Sequence, residues 1–349
     1  MYHFLLIEDS MDDRDSFQDT VNRMNEEAGS IVYELQTAEN YQAGMNAEFG
    51  KYDGVIMDIK LDAGQSGTDI IHKIIDEYRI PVVVFTGTPE IEREELPHIQ
   101  IYKKGEAKHE DILKNLCSDL NTGIYNIFGG TGKLEKHISD VFWNYLYPNI
   151  SVWKTKKERG IDTESILLRY AVSIIQEMLD INVPKYEIEE MYICPPVSPN
   201  IQTGSIVKKK DDDTYCIVLS PPCDLAIHDD KYKTDSFFLC KIDTIEAAIL
   251  EKDRTEKLLK KAIKNNEKAY YHWLPGIASF KGGFINFRKT ISLSLQELSE
   301  KYEKPQLKVQ EYFVKNILNR FSVYYARQGQ PDFDFDYLAK VMADSFTKQ

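Results

Sequence analysis

Three carboxylates follow short apolar segments in the first sixty residues of this chain. Glu8 and Asp9 come directly after residues 4–7, and Asp58 closes residues 54–58. An apolar run that stops at an acid is typical of a buried strand whose end reaches the edge of a sheet. Three acids at one edge repel one another unless a cation lies between them, and carboxylate oxygens with retained waters suit Mg²⁺.

A threonine and two lysines follow later apolar segments in the same way. Thr86 ends residues 80–86, and Lys103 and Lys104 stand at the end of residues 99–103. With a metal ion present, Asp58 could attack a phosphohistidine or a small phosphate donor and form an acyl phosphate. One lysine would pair with the phosphoryl oxygens, and Thr86 would turn towards them. Because side chains alternate along a strand, only one of the two lysines can point into such a site.

Apolar segments alternate with helical patterns over the first 120 or so residues. The predicted strands are residues 3–7, 31–35, 54–58, 80–86 and 99–103, and the predicted helices are 12–25, 39–49, 68–78 and 109–120. Apolar runs without alternation suit central parallel strands that are covered on both faces. They predict an α/β domain with a flavodoxin-like, doubly wound, five-stranded parallel sheet of order 2-1-3-4-5. Ligands bind such sheets at the carboxyl ends of the strands.

The order of these motifs resembles the response-regulator receiver family over residues 1–122. The motifs are FLLIED with Glu8 and Asp9, GVIMD with Asp58, VVVFTGT with Thr86, and IYKKG with Lys103 and Lys104. The resemblance implies that Asp58 accepts a phosphoryl group, that Glu8, Asp9 and Asp58 hold Mg²⁺, and that Thr86 and Lys104 assist. Lys103 is the second choice for the lysine. The implied setting is bacterial two-component signal transduction, with a sensor histidine kinase or phosphotransfer protein as partner.

Four positions depart from the pattern of that family, among them Ile101, which stands where an aromatic residue usually precedes the lysine by three residues. Asp62 stands where proline is usual after the acceptor, and Gly105 stands where proline usually follows the lysine. Gly67 lies nine residues past Asp58, where eight is common. These departures leave open a degenerate receiver that keeps the fold and acts as a scaffold.

The net charge of −13 is concentrated in the N-terminal part of the chain. Residues 1–125 carry 25 acidic and 11 basic side chains. The remainder carries 31 acidic and 32 basic side chains and is nearly neutral. A strongly acidic domain repels phosphate backbones, and no helix-turn-helix followed by basic residues is evident. The apolar run at residues 4–7 is too short for a signal peptide or a membrane span. We therefore expect a cytoplasmic protein without a nucleic-acid or membrane partner.

The pattern changes twice beyond residue 122. Residues 123–182 contain two amphipathic stretches, 134–147 and 163–180, which predict a helical connector that could carry a homodimer contact. Residues 183–349 predict an α+β output or interaction domain with a possible small SH3-like β-barrel. Within it, residues 306–327 predict one long helix. We expect the domain to relay or buffer the signal through contacts with an effector protein.

Cys223 is the candidate nucleophile of this second domain, with Asp224, His228 and His272 as possible helpers. They leave open a receiver-gated enzyme, hydrolase or nuclease-like, with its activity in residues 183–349. The other interpretation of the Pro-Pro-Cys-Asp run is a strand end with a buried thiol and a capping aspartate.

Cysteine spacing bears on both metal binding and redox compartment. The five cysteines are Cys117, Cys194, Cys216, Cys223 and Cys240, and no pair has CxxC spacing. Four of them, all but Cys117, would form a zinc site only if the fold gathered them. The scattered, odd number argues against a disulfide framework and favours a reducing cytoplasm.

Overall fold

The protein is described from a computed structural model. The described residues are 1–61, 65–87, 99–128, 132–181, 185–327 and 332–346. The chain divides into two compact units, Met1–Asn182 and Val183–Gln349. Within the described ranges, no helix combines the length and the apolar character that crossing a membrane requires.

The first unit alternates strands and helices. Its described strands are Tyr2–Ile7 (β1), Tyr33–Ala38 (β2), Gly54–Met57 (β3), Lys60–Leu61 (β4), Gln65–Ser66 (β5), Val82–Thr86 (β6) and Gln100–Lys103 (β7). Its described α-helices are Met11–Ala28 (α1), Tyr41–Met45 (α2), Thr68–Glu77 (α3), His109–Asn121 (α4), Ile124–Phe128 (α5), Lys133–Val141 (α6), Ile150–Glu158 (α7) and Thr163–Asp180 (α8).

Five of these strands form a parallel sheet in the order β2-β1-β3-β6-β7. This confirms the predicted flavodoxin-like order. Successive side chains of β1 enter different cores: Leu5 and Ile7 pack with α3, whereas Phe4 and Leu6 pack with α1 and α4. Helices thus cover both faces of the sheet, which is why its central strands are apolar throughout.

Several predicted boundaries shift because of pairing and close packing. Strand β2 begins at Tyr33, because Tyr33 is the residue opposite Tyr2 in the parallel register. Helix α2 is only five residues long and brings Gly44 so close to the sheet that a Cβ there would lie 2.9 Å from Ile7 Cγ2. The segment that follows β3 contains the small antiparallel pair β4 and β5. Asp62, between those strands, lies outside the described residues.

The second unit combines strands with five described α-helices. The strands are Tyr192–Ile193 (β8), Ser205–Lys208 (β9), Tyr215–Val218 (β10), Ile227–His228 (β11), Lys231–Tyr232 (β12), Phe237–Asp243 (β13), Tyr271–Leu274 (β14), Gly283–Leu293 (β15) and Leu307–Val309 (β16). The helices are Ile245–Ala248 (α9), Glu256–Ile263 (α10), Leu295–Lys301 (α11), Glu311–Tyr325 (α12) and Phe335–Phe346 (α13).

Seven of those strands form one antiparallel sheet in the order β14-β15-β13-β10-β9-β16-β8. Alternate residues of β10 enter different cores, Ile217 with α12 and Cys216 with α11. The predicted α+β class is confirmed. Strands β14 and β8 lie at opposite edges, so the described pairings do not close the sheet into the small SH3-like barrel that we considered.

The long helix predicted over residues 306–327 is wrong at its beginning. Residues Leu307–Val309 form β16, which pairs with β9 on one side and β8 on the other. Leu307 and Val309 are buried in the sheet's core, and Lys308 between them is half-buried. The helix begins only at Glu311. Period-2 burial over three residues therefore overrides the helical pattern that follows it.

Candidate functional site

Asp58 lies at the carboxyl end of β3, in the middle of the parallel sheet. Its backbone N–H donates to the Ile7 carbonyl over 2.9 Å, which extends the pairing of β3 with β1 by one residue. Its Oδ1 accepts from the backbone N–H of Lys60 at 3.2 Å. The side chain is only 9% exposed, so one carboxylate oxygen is fixed by backbone and the other faces the cluster described next.

Lys104 gathers three carboxylates around one ammonium group. Its Nζ lies 2.7 Å from Glu8 Oε2, 2.8 Å from Asp13 Oδ2 and 2.8 Å from Asp58 Oδ2. The Glu8 side chain is 2% exposed and that of Asp13 is 37% exposed. We call these four residues the Lys104 cluster. It lies where β1, β3 and β7 end, which is the ligand-binding edge of this fold.

The two neighbouring lysines point to different places. The backbone N–H of Lys104 donates to the carbonyl of Thr86 at 2.9 Å, so the chain stays beside β6 one residue beyond β7. Lys103 instead pairs with Glu106 on the surface, with 2.6 Å between Nζ and Oε1. Thr86 is buried at the end of β6, the strand next to β3. The structure therefore brings Lys104, rather than Lys103, into the same cluster as Asp58.

Burial and the neighbouring charges shift the pKa values of Glu8 and Lys104 in opposite directions. Burial raises the pKa of Glu8 above its ordinary value, although the hydrogen bond from Lys104 acts in the opposite direction. For Lys104, burial alone would lower the pKa, but hydrogen bonds to Asp13, Asp58 and Glu8 outweigh it and raise the pKa. The ammonium group therefore stays charged at neutral pH, which offsets part of the acid–acid repulsion.

Asp13 is the third acid of the cluster, and sequence reasoning missed it. The Ser10 side chain caps α1 by accepting from the backbone N–H of Asp13, at 3.3 Å, which fixes Asp13 in the first helical turn. Asp9 is exposed, and its carbonyl accepts from the Arg14 guanidinium at 2.8 Å. The acidic start of α1 was the available signal, but it also fits a simple interaction with the helix dipole.

The donor groups of the cluster match Mg²⁺ in type and in charge. Carboxylate oxygens are hard ligands, and the cluster contains three acidic side chains but only one basic side chain. Glu8, Asp9 and Asp58 do not, however, form one ligand set in this structure. Throughout the described part of the chain, no group of three or more His, Cys, Asp or Glu side chains could hold a metal ion. The Lys104 ammonium fills the space between Glu8 and Asp58.

The candidate nucleophile of the second unit is not assembled with its predicted histidines. Cys223 is exposed, so the buried-thiol interpretation is wrong, and its Sγ lies 3.7 Å from Asp224 Oδ1. His272 is buried within β14, where burial and then the charge of Arg320 lower its pKa to about 3. His228 is exposed in β11. Among the described residues, neither histidine hydrogen-bonds to Cys223, so the predicted arrangement of Cys223 with a histidine is not formed.

The fold also keeps the cysteines apart. Cys216 and Cys240 lie on neighbouring strands but belong to the cores on opposite faces of the sheet. Cys194 and Cys223 are exposed. A zinc site built from these four is therefore not formed by the described residues.

Comparison with known proteins gives structural matches only. No protein-family model matches the chain, and no curated protein matches it. One matching structure is the N-terminal domain of a response regulator/sensory box/GGDEF 3-domain protein from Carboxydothermus hydrogenoformans. It is 22% identical, with 36% of this chain and 98% of that chain covered, at a TM-score of 0.29.

Two further matches cover the same share of the chain. The response regulator TrrA from Thermotoga maritima, in complex with Mg²⁺ and BeF, is 23% identical and covers 34% of this chain and 99% of its own, at a TM-score of 0.26. A CheY-like receiver domain protein from Methanospirillum hungatei is 17% identical. The match covers 35% of this chain and 95% of that chain, at a TM-score of 0.29. Similarity at this level says nothing about activity. The N-terminal part of the chain is thus similar to solved response-regulator receiver domains, and the rest has no named counterpart among these matches.

Proposed function

We propose that the chain is a response-regulator-like signalling protein that accepts a phosphoryl group on Asp58. The supporting observation is the contact of Asp58 Oδ2 with the Lys104 ammonium, 2.8 Å away, at the carboxyl end of the central strand. In the proposed step, a carboxylate oxygen of Asp58 attacks the phosphorus of a phosphohistidine or acyl phosphate. The new O–P bond replaces the P–N or P–O bond of the donor, and the donor's imidazole or carboxylate leaves with the electron pair.

The other residues of the site have supporting roles in this proposal. Lys104 pairs with the phosphoryl oxygens through charge-assisted hydrogen bonds. Thr86 is buried at the end of the next strand. It turns its hydroxyl towards the phosphoryl group, and this movement signals that Asp58 is phosphorylated. The receiver resemblance assigns Mg²⁺ to Glu8, Asp9 and Asp58. Because these three do not form one ligand set here, they would hold the ion only if the Lys104 ammonium left the space between Glu8 and Asp58 and Asp9 turned inward. A bound Mg²⁺ would neutralise charge on the transferring group.

The proposed partners follow from this chemistry and from charge. A sensor histidine kinase or a phosphotransfer protein supplies the phosphoryl group, and the second unit relays or buffers the signal to an effector protein. DNA is not a proposed partner, because the acidic N-terminal region repels a phosphate backbone. The proposed compartment is the bacterial cytoplasm.

Phosphoryl transfer from acetyl phosphate tests the proposal directly. The full chain is incubated with Mg²⁺ and acetyl phosphate, and its intact mass is measured. We expect the mass to rise by one phosphoryl group in the wild type and in Asp76→Asn, whose exposed acid lies on α3 away from the site. Asp58→Asn is expected to show no gain. A wild-type protein that remains unmodified with acetyl phosphate and with a phosphohistidine donor would favour the degenerate scaffold instead.

A further inference from the structure

Helix α8 presents an apolar stripe to solvent. Leu168, Val172 and Leu179 are 68%, 58% and 51% exposed, and Ile175 between them is half-buried. We call these four residues the outer stripe. Their spacing of four, three and four residues is the spacing of the core positions d, a, d and a in a coiled coil.

The outer stripe is separate from the face by which α8 packs within its own unit. Ile174 is buried, and Leu167, Ala171 and Met178, which share its side of the helix, are half-buried. Within the first unit, helix α8 packs against α6, and its Tyr170 ring lies near the Trp153 ring of α7. The helix is thus held in place by one apolar face, while a neighbouring face remains in contact with water.

Charges beside the outer stripe fit a second copy of the same helix. If Leu168 is at d, Glu164 falls at g and Arg169 at e, five residues later. In a parallel two-stranded coiled coil, position g of one helix lies beside the following e of the other, so Glu164 and Arg169 of two copies would form two symmetric ion pairs. Both side chains are exposed, and within the described residues Arg169 makes no ion pair. Among the same described residues, Glu164 forms an ion pair only with Lys157, at 3.7 Å.

We propose that the chain forms a homodimer through parallel pairing of α8 with α8 of a second copy. Leu168 at d and β-branched Val172 at a, the two most exposed positions of the stripe, favour two strands. Ile175 at d and Leu179 at a are the combination typical of larger bundles, but Ile175 is half-buried in its own unit and offers less surface to a partner.

The length of α8 is compatible with this pairing. Its 18 residues span about 27 Å, which is short for an isolated coiled coil. Here, however, packing within the unit already holds the helix in shape, so association does not have to fold it.

Solution mass of the full chain tests the dimer. We expect twice the 40.4 kDa chain mass by light scattering for the wild type and for Ser173→Glu, an exposed position beside the stripe. Val172→Glu is expected to give the mass of one chain, with unchanged helix content by circular dichroism. A wild type that is monomeric at all accessible concentrations, or that forms trimers or tetramers, would overturn the proposal.

Charge exchange and cross-linking test the parallel register. Glu164→Arg and Arg169→Glu should each weaken dimerisation roughly tenfold, and the double variant should restore it. With the exposed Cys194 and Cys223 changed to serine, Leu168→Cys should form an intermolecular disulfide and Ser173→Cys should not. Failure of the double variant to recover, or equal cross-linking at both positions, would contradict parallel pairing. If a charge variant fails to fold, the cross-link still tests the pairing, because a cysteine at an exposed position does not disturb the fold.

Discussion

Removing the ammonium group of Lys104 is the sharpest test of how the acidic cluster is held together. In Lys104→Met the apolar part of the side chain is kept, but Glu8, Asp13 and Asp58 lose the cation that lies within 2.8 Å of each of them. The three acids then repel one another across a site in which Glu8 and Asp58 are almost completely buried. We expect the parallel sheet to be destabilised where β1 and β3 end.

Protonation of Glu8 limits the part of the cost that arises from leaving this one acid without its cation. The ordinary pKa of this group is 4.5, so keeping it protonated at pH 7 costs about 3.4 kcal/mol, at about 1.36 kcal/mol per pH unit. Because burial already raises its pKa in the wild type, the true cost is smaller. We expect a loss of about 2–3 kcal/mol, close to the lower end of the usual cost of breaking a buried ion pair, about 3–5 kcal/mol.

Native-state hydrogen exchange with mass spectrometry measures this loss locally, on peptides that cover β1 and β3, with EDTA present. The matched control is Lys103→Met, which removes an exposed pair with Glu106 and should change the opening free energy by less than about 0.5 kcal/mol. Local exchange is preferable to a global unfolding curve, because a chain of two units need not unfold in one step.

The pH dependence gives a second, independent check. In Lys104→Met the folded-state pKa of Glu8 lies above its unfolded value, so folding takes up a proton. The variant is therefore relatively more stable at low pH and loses that stability as the pH rises through the raised pKa. The difference from the wild type should shrink between pH 7 and pH 5. Equal loss in Lys104→Met and Lys103→Met, or a difference that does not vary with pH, would refute the account of the cluster.

Two further predictions concern other parts of the chain. Gly204→Ala should destabilise the second unit by about 2–4 kcal/mol in urea unfolding, because φ is +86° and the new Cβ would lie 2.5 Å from Val314 Cγ2. The control is Gly123→Ala, at φ +85° in open space, which should destabilise the first unit by only about 1–2 kcal/mol. Equal losses would show that the contact is unimportant. The pKa of His272 falls from 6.5 to about 3 on folding, so the second unit should lose stability as the pH falls below 6.5, and His272→Phe should reduce that loss in thermal scans between pH 7 and pH 4.5. An unchanged acid sensitivity would mean that His272 is not its source.

The architecture of the first unit could be predicted because its strands are buried on both faces. Leu5 and Ile7 enter one core while Phe4 and Leu6 enter the other, so β1 is apolar throughout and is recognisable without an alignment. The second unit gave weaker signals. Strand β16 has three residues and directly precedes a long helix, so its burial depends on pairing with β9 and β8, which are distant along the chain.

The sequence by itself determined which acids, hydroxyl and lysines stand at strand ends, since apolar runs and their stops are local properties. Only the tertiary structure decided which neighbour turns inward. Lys104 enters the site rather than Lys103 because the pairing with β6 continues one residue past the strand, and Asp13 joins it because the Ser10 cap sets the first turn of α1. The direction of a side chain at a strand end depends on hydrogen bonds to residues remote in the chain, and a local sequence pattern does not predict those hydrogen bonds.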